Sequence, residues 1–249
     1  MNIGIIIGNS SVKIAGFENN SIKKRFAISA QKEHTPDEIY LIFELFGLTH
    51  ADDAIMASVV PSLSPIYEKV LRTKFGIDNP LRVSWSLNTG VSTEYKAPET
   101  MGEDRIANIV GAFHEFKKNI VVIDFGTATT VDIITEDGKH LGGIIAPGIK
   151  ESLENLIQKT SKLFHVEIER PKSFLGRNTQ ECMVSGIYLL TVGFIESVKA
   201  AIKRETRKDF VFIATGGLAE KISSVAPAVD ALDPDLGIKG LIHIYRLNR

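Results

Sequence analysis

The chain has 249 residues, 29 of them Lys or Arg against 30 Asp or Glu, and a single cysteine. This near-neutral balance supplies no basic field to draw nucleic acid, and no leader and no apolar run long enough to cross a bilayer is expected. A lone thiol, Cys182, excludes an internal disulfide and a cysteine metal site and is expected to be a small buried packing group. A cytoplasmic protein is the expectation, with a core large enough for one large domain or two smaller ones.

Along the chain, residues 2–7 and 12–17 predict two strands around the turn Gly8-Asn9-Ser10-Ser11, and Lys23–Ile28 a third. Thr35-Pro36-Asp37-Glu38 predicts a helix start, with a hydroxyl N-cap, proline at the first position and the acid of a capping box. Ala54–Val60 predicts a buried strand, Ser64–Phe75 a helix, Leu81–Ser84 a short strand and Asn88–Pro98 a loop. The apolar spacing of Ile106, Ile109, Val110, Phe113 and Phe116 predicts a helix over Arg105–Phe116. After Lys118 the cycle restarts. Ile120–Asp124, Thr130–Thr135 and Gly142–Ile145 predict strands, with Glu136-Asp137-Gly138 turning the second into the third. Helices are expected at Ile149–Leu163 and Thr179–Arg204, a strand at Phe210–Ala214, a further helix, and a final strand at Leu241–Tyr245. Strand-turn-strand-strand followed by helices, written twice, argues a duplicated α/β fold of two halves, 1–117 and 118–249, with a cleft between them.

The two halves open on matching phrases. In MNIGIIIGNSSVKIAG and NIVVIDFGTATTVDII a β-branched run enters a turn at glycine, followed by small hydroxyl or amide residues. Such turns present backbone N–H groups that cradle phosphate oxygens. A third glycine turn, Thr215-Gly216-Gly217, follows an apolar strand, where it can pass beneath an adenosine. The second copy carries Asp124 two residues before its glycine; the first has Ile6 there.

This ordered set resembles the acetate and sugar kinase, heat-shock ATPase and actin superfamily, whose halves are RNase H-like, and within it the type III pantothenate kinases. Met101-Gly102-Glu103-Asp104-Arg105 is similar to that family's Gly-x-Asp-Arg motif, and Ile123–Asp132 to its second phosphate motif. Gly142–Gly148, Gly176-Arg177-Asn178-Thr179 and Asp235–Gly240 fit as well. The resemblance implies phosphorylation of pantothenate by ATP, the entry to coenzyme A synthesis. It assigns Gly8, Asn9, Ser10, Ser11, Val12, Lys13 and Thr127 to ATP and Asp124 to a potassium or ammonium ion. Tyr95, Gly102, Glu103, Asp104, Arg105 and Thr179 are assigned to pantothenate, and Mg2+ is expected with the nucleotide.

The residue chemistry agrees with these roles. A carboxylate at Asp104 can take the proton of an attacking hydroxyl, although an acid near a helix start also favours the helix dipole. A guanidinium at Arg105 suits an acceptor that ends in a carboxylate. Thr179 suits a helix N-cap equally well. Asp132 reads as structural, and none of the six histidines has metal-ligand spacing. Ile6 departs from the family's Asp-x-Gly-Asn-Thr, and an alkyl group cannot hold a hydrated magnesium ion. Beside the kinase there stands a catalytically weak or inactive homologue that binds nucleotide or pantothenate as a regulator. The helix over 179–204 carries apolar residues around much of its circumference. With the resemblance, this implies a homodimer with a shared active site.

Overall fold

The computed structural model of the chain describes residues 1–30, 34–223 and 226–249. Its first elements are β1 (Asn2–Ile7), β2 (Ser11–Glu18), β3 (Ser21–Ser29), α1 (Pro36–Leu45), β4 (Ala54–Ser58), α2 (Ser64–Phe75), β5 (Leu81–Arg82), β6 (Ser92–Thr93) and α3 (Glu103–Phe116). Then follow β7 (Ile120–Phe125), β8 (Ala128–Ile134), β9 (Lys139–Pro147), α4 (Ile149–Gln158), α5 (Thr179–Thr206), β10 (Val211–Thr215), α6 (Ala219–Ser223), β11 (Ala231–Leu232) and α7 (Leu236–Asn248). Two compact units result. One comprises Met1–Lys117, Ile134–Gly142 and Asp235–Arg249; the other comprises Lys118–Ile133 and Gly143–Pro234. Residue 117 thus ends the first long segment, and two later segments return to the same unit.

In the first unit the sheet order is β3-β2-β1-β4-β5, antiparallel on one side of β1 and parallel on the other. Alternation along β1 sends Ile3, Ile5 and Ile7 to a core shared with Val12, Ile14, Ile39, Phe43, Val70 and Leu71 of β2, α1 and α2. α1 starts as expected: Thr35 Oγ1 accepts from Glu38 N at 3.3 Å while Glu38 Oε2 accepts from Thr35 N at 2.7 Å. α3 and α7 pack on β4 and against each other, and α7 also on β1. Their backbones nearly touch. A Cβ added at Gly240 would lie 1.8 Å from Ala107 O, and one at Gly111 2.2 Å from Leu236 O.

This contact corrects one expectation. Leu241–Tyr245, expected as a final strand, lies inside α7. A short apolar run does not distinguish a buried strand from a buried helix. Here Gly237, Gly240, Leu241 and Ile244 are buried at helical spacing, and the two glycines admit α3.

The second unit's strands follow the order β11-β10-β7-β8-β9, with β10 parallel to both β7 and β11. Counted from each unit's first strand, both sheets run third, second, first, fourth, fifth. The duplicated α/β architecture is therefore present. The start of β9 belongs to the first unit, where Lys139 and His140 pair in parallel with Ser92 and Thr93 of β6, inside the segment expected as loop.

Two further expectations are corrected in α5. Met183, Ile187, Thr191, Ile195, Val198 and Ile202 form its buried stripe, which leaves Cys182, about 100° around the helix from Met183, exposed. By length and composition α5 is also apolar enough to cross a membrane, with a mean hydropathy of 1.4 in its most apolar 18-residue window.

Candidate active site

The first turn joins β1 to β2. Gly8 N donates to Ser11 O at 3.0 Å, and Ala30 N donates to Ser10 O at 3.1 Å. Asn9 and Ser10 project into solvent, whereas Val12 is fully buried. Alternation along β2 sends the Val12 side chain into the core, so Val12 can serve a ligand only through its backbone. Lys13 lies directly opposite Ile6 across the β1–β2 ladder. Ile6 itself is 8% exposed. Its Cδ1 and Asn108 Oδ1 would lie 2.8 and 2.9 Å from a Cβ at Gly237, so isoleucine, asparagine and a bare glycine close this corner together.

Gly102 is the N-cap of α3 and brings no capping side chain. Asp104 Oδ1 instead folds back to accept from Arg105 N at 2.8 Å, and the positive end of the helix dipole favours its charge. A Cβ at Gly102 would come within 2.6 Å of that oxygen, so glycine is what leaves the carboxylate its place. Arg105 is only 6% exposed, and its guanidinium carbon lies 5.8 Å from the centroid of the Tyr95 ring. Tyr95, Asp104 and Arg105 are thus assembled around the start of one helix. Glu103 points elsewhere: it accepts from Ser58 N at 2.6 Å and pairs with Arg82 at 3.2 Å, tying α3 to the end of β4. A cavity of about 350 Å³ opens beside this segment, lined by Ser58, Val59, Ser84, Trp85, Gly102 and Glu103 among others.

In the second unit the turn after β7 takes the same place as the first and is one residue tighter. Gly126 N donates to Ala128 O at 3.2 Å, and Thr127 is exposed. Gly148, the N-cap of α4, donates to Thr127 O at 3.1 Å, and a Cβ there would lie 2.2 Å from that oxygen. β10 runs beside β7 with Thr215 opposite Asp124. Gly216 then turns over Asp124 with φ +97, a left-handed conformation suited to glycine, and a Cβ on it would be 2.3 Å from Asp124 Oδ1. Thr215 is 1% exposed and its Oγ1 has no hydrogen-bond partner; Glu151 Oε2, also buried, has none either. Thr179 is the exposed first residue of α5, and the N-cap role falls to Asn178, whose Oδ1 accepts from Glu181 N at 2.9 Å.

Comparison with known proteins decides the family: the sequence profile of type III pantothenate kinases matches residues 3–201. The chain belongs to the type III pantothenate kinase family. The type III pantothenate kinase of Geotalea uraniireducens (strain Rf4) is 37% identical over 251 residues, 98% of each chain. That of Roseiflexus sp. (strain RS-1) is 35% identical over 255 residues, 100% of both. A ROK family glucokinase from Streptomyces griseus, solved with glucose and AMPPNP, superposes with a TM-score of 0.54 at 13% identity, over 100% of this chain and 99% of that one. At that identity it shows the fold alone, here the actin-like ATPase and sugar kinase fold. In this pantothenate kinase, sequence reading took Thr215 and Gly148 only as members of glycine motifs and missed Glu151 and Asn108. Neither of the last two carries a local signal: Asn108 meets Gly237 far along the chain, and the burial of the Glu151 carboxylate is set by the fold.

Proposed function

We propose that the chain transfers the terminal phosphoryl group of ATP to pantothenate, giving 4'-phosphopantothenate, the first step of coenzyme A synthesis. The observation that carries this reading is the grouping at the start of α3: the Asp104 carboxylate folded over its helix terminus, beside the buried Arg105 beneath Tyr95. Asp104 takes the proton of the acceptor hydroxyl as its oxygen attacks the terminal phosphorus and ADP departs; such a base contributes on the order of 10²–10⁴ in rate. Arg105 takes the acceptor's carboxylate in a forked pair. The cavity beside Gly102 accommodates the acceptor's body. The turns at Gly8–Ser11 and Gly126–Thr127 serve the ATP phosphates.

The oxygens around Asp124 suit a monovalent cation. The Asp124 carboxylate stands beside the buried Thr215 hydroxyl, and a potassium or ammonium ion there would offset its charge near the phosphates. Ile6 brings no carboxylate to the first turn. Among the described residues no group of three or more His, Cys, Asp or Glu could hold a metal. Magnesium would enter with the nucleotide, and the Ser10 and Ser11 hydroxyls and the Lys13 ammonium would face the phosphates. Thr179 contributes from a second copy of the chain. The exposed Leu189 and Leu190 of α5 and the preceding Phe174 and Leu175, 50, 69, 57 and 83% exposed, form the face for that homodimer. The enzyme works in the cytoplasm. No observation favours a non-catalytic regulator.

The test is a coupled ATP-consumption assay with pantothenate, magnesium and potassium. Pantothenate-dependent turnover that Asp104→Asn abolishes, with nucleotide affinity retained, is expected. An Asp104→Asn enzyme keeping most of its rate would remove Asp104 from the role.

A further inference from the structure

His140 has no part in the chemistry above, yet it is 0% exposed. It stands at the start of β9, delivered to the first unit by the turn of the β8–β9 hairpin. Gly138 anchors that turn. Its φ is +78, and a Cβ on it would meet Phe113 Cζ of α3 at 2.8 Å. His140 Nδ1 lies 2.8 Å from Thr93 Oγ1, its partner in the β6–β9 pairing. The same hydroxyl oxygen accepts from Tyr95 N at 3.0 Å. The imidazole ring neighbours two aromatic rings, Trp85 at 6.2 Å and 21° and Tyr95 at 6.3 Å and 30°, within the range of attractive ring contacts. Beyond Tyr95 comes the Arg105 guanidinium at 5.8 Å. Successive contacts therefore link Trp85, His140, Tyr95 and Arg105.

We infer that His140 is a positioning residue for acceptor recognition: through Thr93 it sets the backbone of Tyr95, through its ring it sets the Tyr95 side chain, and Tyr95 in turn orients the Arg105 guanidinium. The inference rests on the reading that Tyr95 and Arg105 receive the anionic end of pantothenate. Tyr95 lies on a connection where backbone order depends on such anchors. A buried guanidinium is fixed by the ring beneath it, and a forked carboxylate contact tolerates little misalignment. His140 thus acts on acceptor binding and leaves the ATP turns alone.

Two variants separate its two contacts. His140→Phe keeps a ring beside Trp85 and Tyr95 and removes the contact with Thr93; His140→Asn does the reverse. Thr93→Val, on the outer partner, keeps the question open to measurement if either His140 variant fails to fold. The Michaelis constants for pantothenate and ATP, kcat and the melting temperature are measured for each, alone and on Arg105→Ala. The expected result is a rise in the pantothenate constant on the order of tenfold, with the ATP constant within about twofold. On Arg105→Ala the further rise should vanish, because the group being oriented is gone. Parallel rises for both substrates, or an effect that multiplies fully with Arg105→Ala, would overturn the inference. So would unchanged kinetics in the His140 and Thr93 variants while Arg105→Ala weakens pantothenate, and then the site reading survives. If Arg105→Ala itself leaves the pantothenate constant unchanged, the site reading falls and takes the inference with it.

Discussion

Replacing Gly240 by alanine tests the contact on which the placement of α3 depends. The new Cβ would begin 1.8 Å from Ala107 O. Ordinary contact needs a separation larger by about 1.6 Å, which the two helices can supply only by moving apart. That opening breaks packing around Leu241, Ile244 and Ile109, all at 0% exposure. Overpacking of this kind costs about 1–3 kcal/mol, and backbone rather than a mobile side chain is in the way, so about 3 kcal/mol is expected. For a chain of this size that is a fall in Tm of about 6–12 °C. Because α3 carries Asp104 and Arg105, kcat/KM should fall as well. Gly193→Ala is the control. It too lies inside a helix, but nothing stands within 4 Å of its added Cβ, so it should gain about 0.5–1 kcal/mol from helix propensity. Thermal unfolding followed by circular dichroism reads both. A Gly240→Ala protein melting within about 2 °C of the parent would refute the reasoning.

Ile6→Asp should lower stability by about 2–4 kcal/mol, since it trades a largely buried alkyl group for a carboxylate beside Asn108. Its kcat in saturating magnesium should nonetheless rise about tenfold or more if the absent acid limits turnover; an equal or lower kcat would show that it does not. Leu190→Asp, on the exposed face of α5, should shift the protein to monomer in light scattering over a dilution series and raise the pantothenate requirement about tenfold or more. A Leu190→Asp protein that stays dimeric removes that face from the interface. Burial holds the His243 imidazole below the usual 6.5, and His114 pushes the same way against the pairing with Glu115. The folded state therefore resists a proton that the unfolded chain accepts. This contribution is complete above about pH 6.5 and is lost as pH falls through the lowered folded value. The loss in urea midpoint between about pH 7.5 and 5.5 should shrink in His243→Gln, and an unchanged slope would exclude His243 as its source.

The sequence by itself determined what depends on neighbours along the chain. The glycine turns at Gly8 and Gly126 follow β-branched runs, and β-branching with a following glycine makes strand and turn wherever they occur. Thr35 and Glu38 cap α1 within one turn of helix. Duplication of the α/β half was legible as a phrase written twice, and the sheets bear it out. The order of motifs, from the first turn to Asp235–Gly240, carried the family.

Only the tertiary structure decided what depends on groups far apart in the chain. Leu241–Tyr245 is a helix because Gly237 and Gly240 meet α3 more than a hundred residues upstream, and no local pattern encodes that contact. Glu103 left its motif neighbours for Arg82 and the amide of Ser58, a choice made by where β4 ends. Cys182 emerged into solvent because the buried stripe of α5 passes through Met183. His140, one of six scattered histidines in the sequence, came to lie against Trp85 and Tyr95 through the β8–β9 hairpin. Local propensity acts over a few residues, whereas burial and close approach are set by which distant surfaces the folded chain brings together.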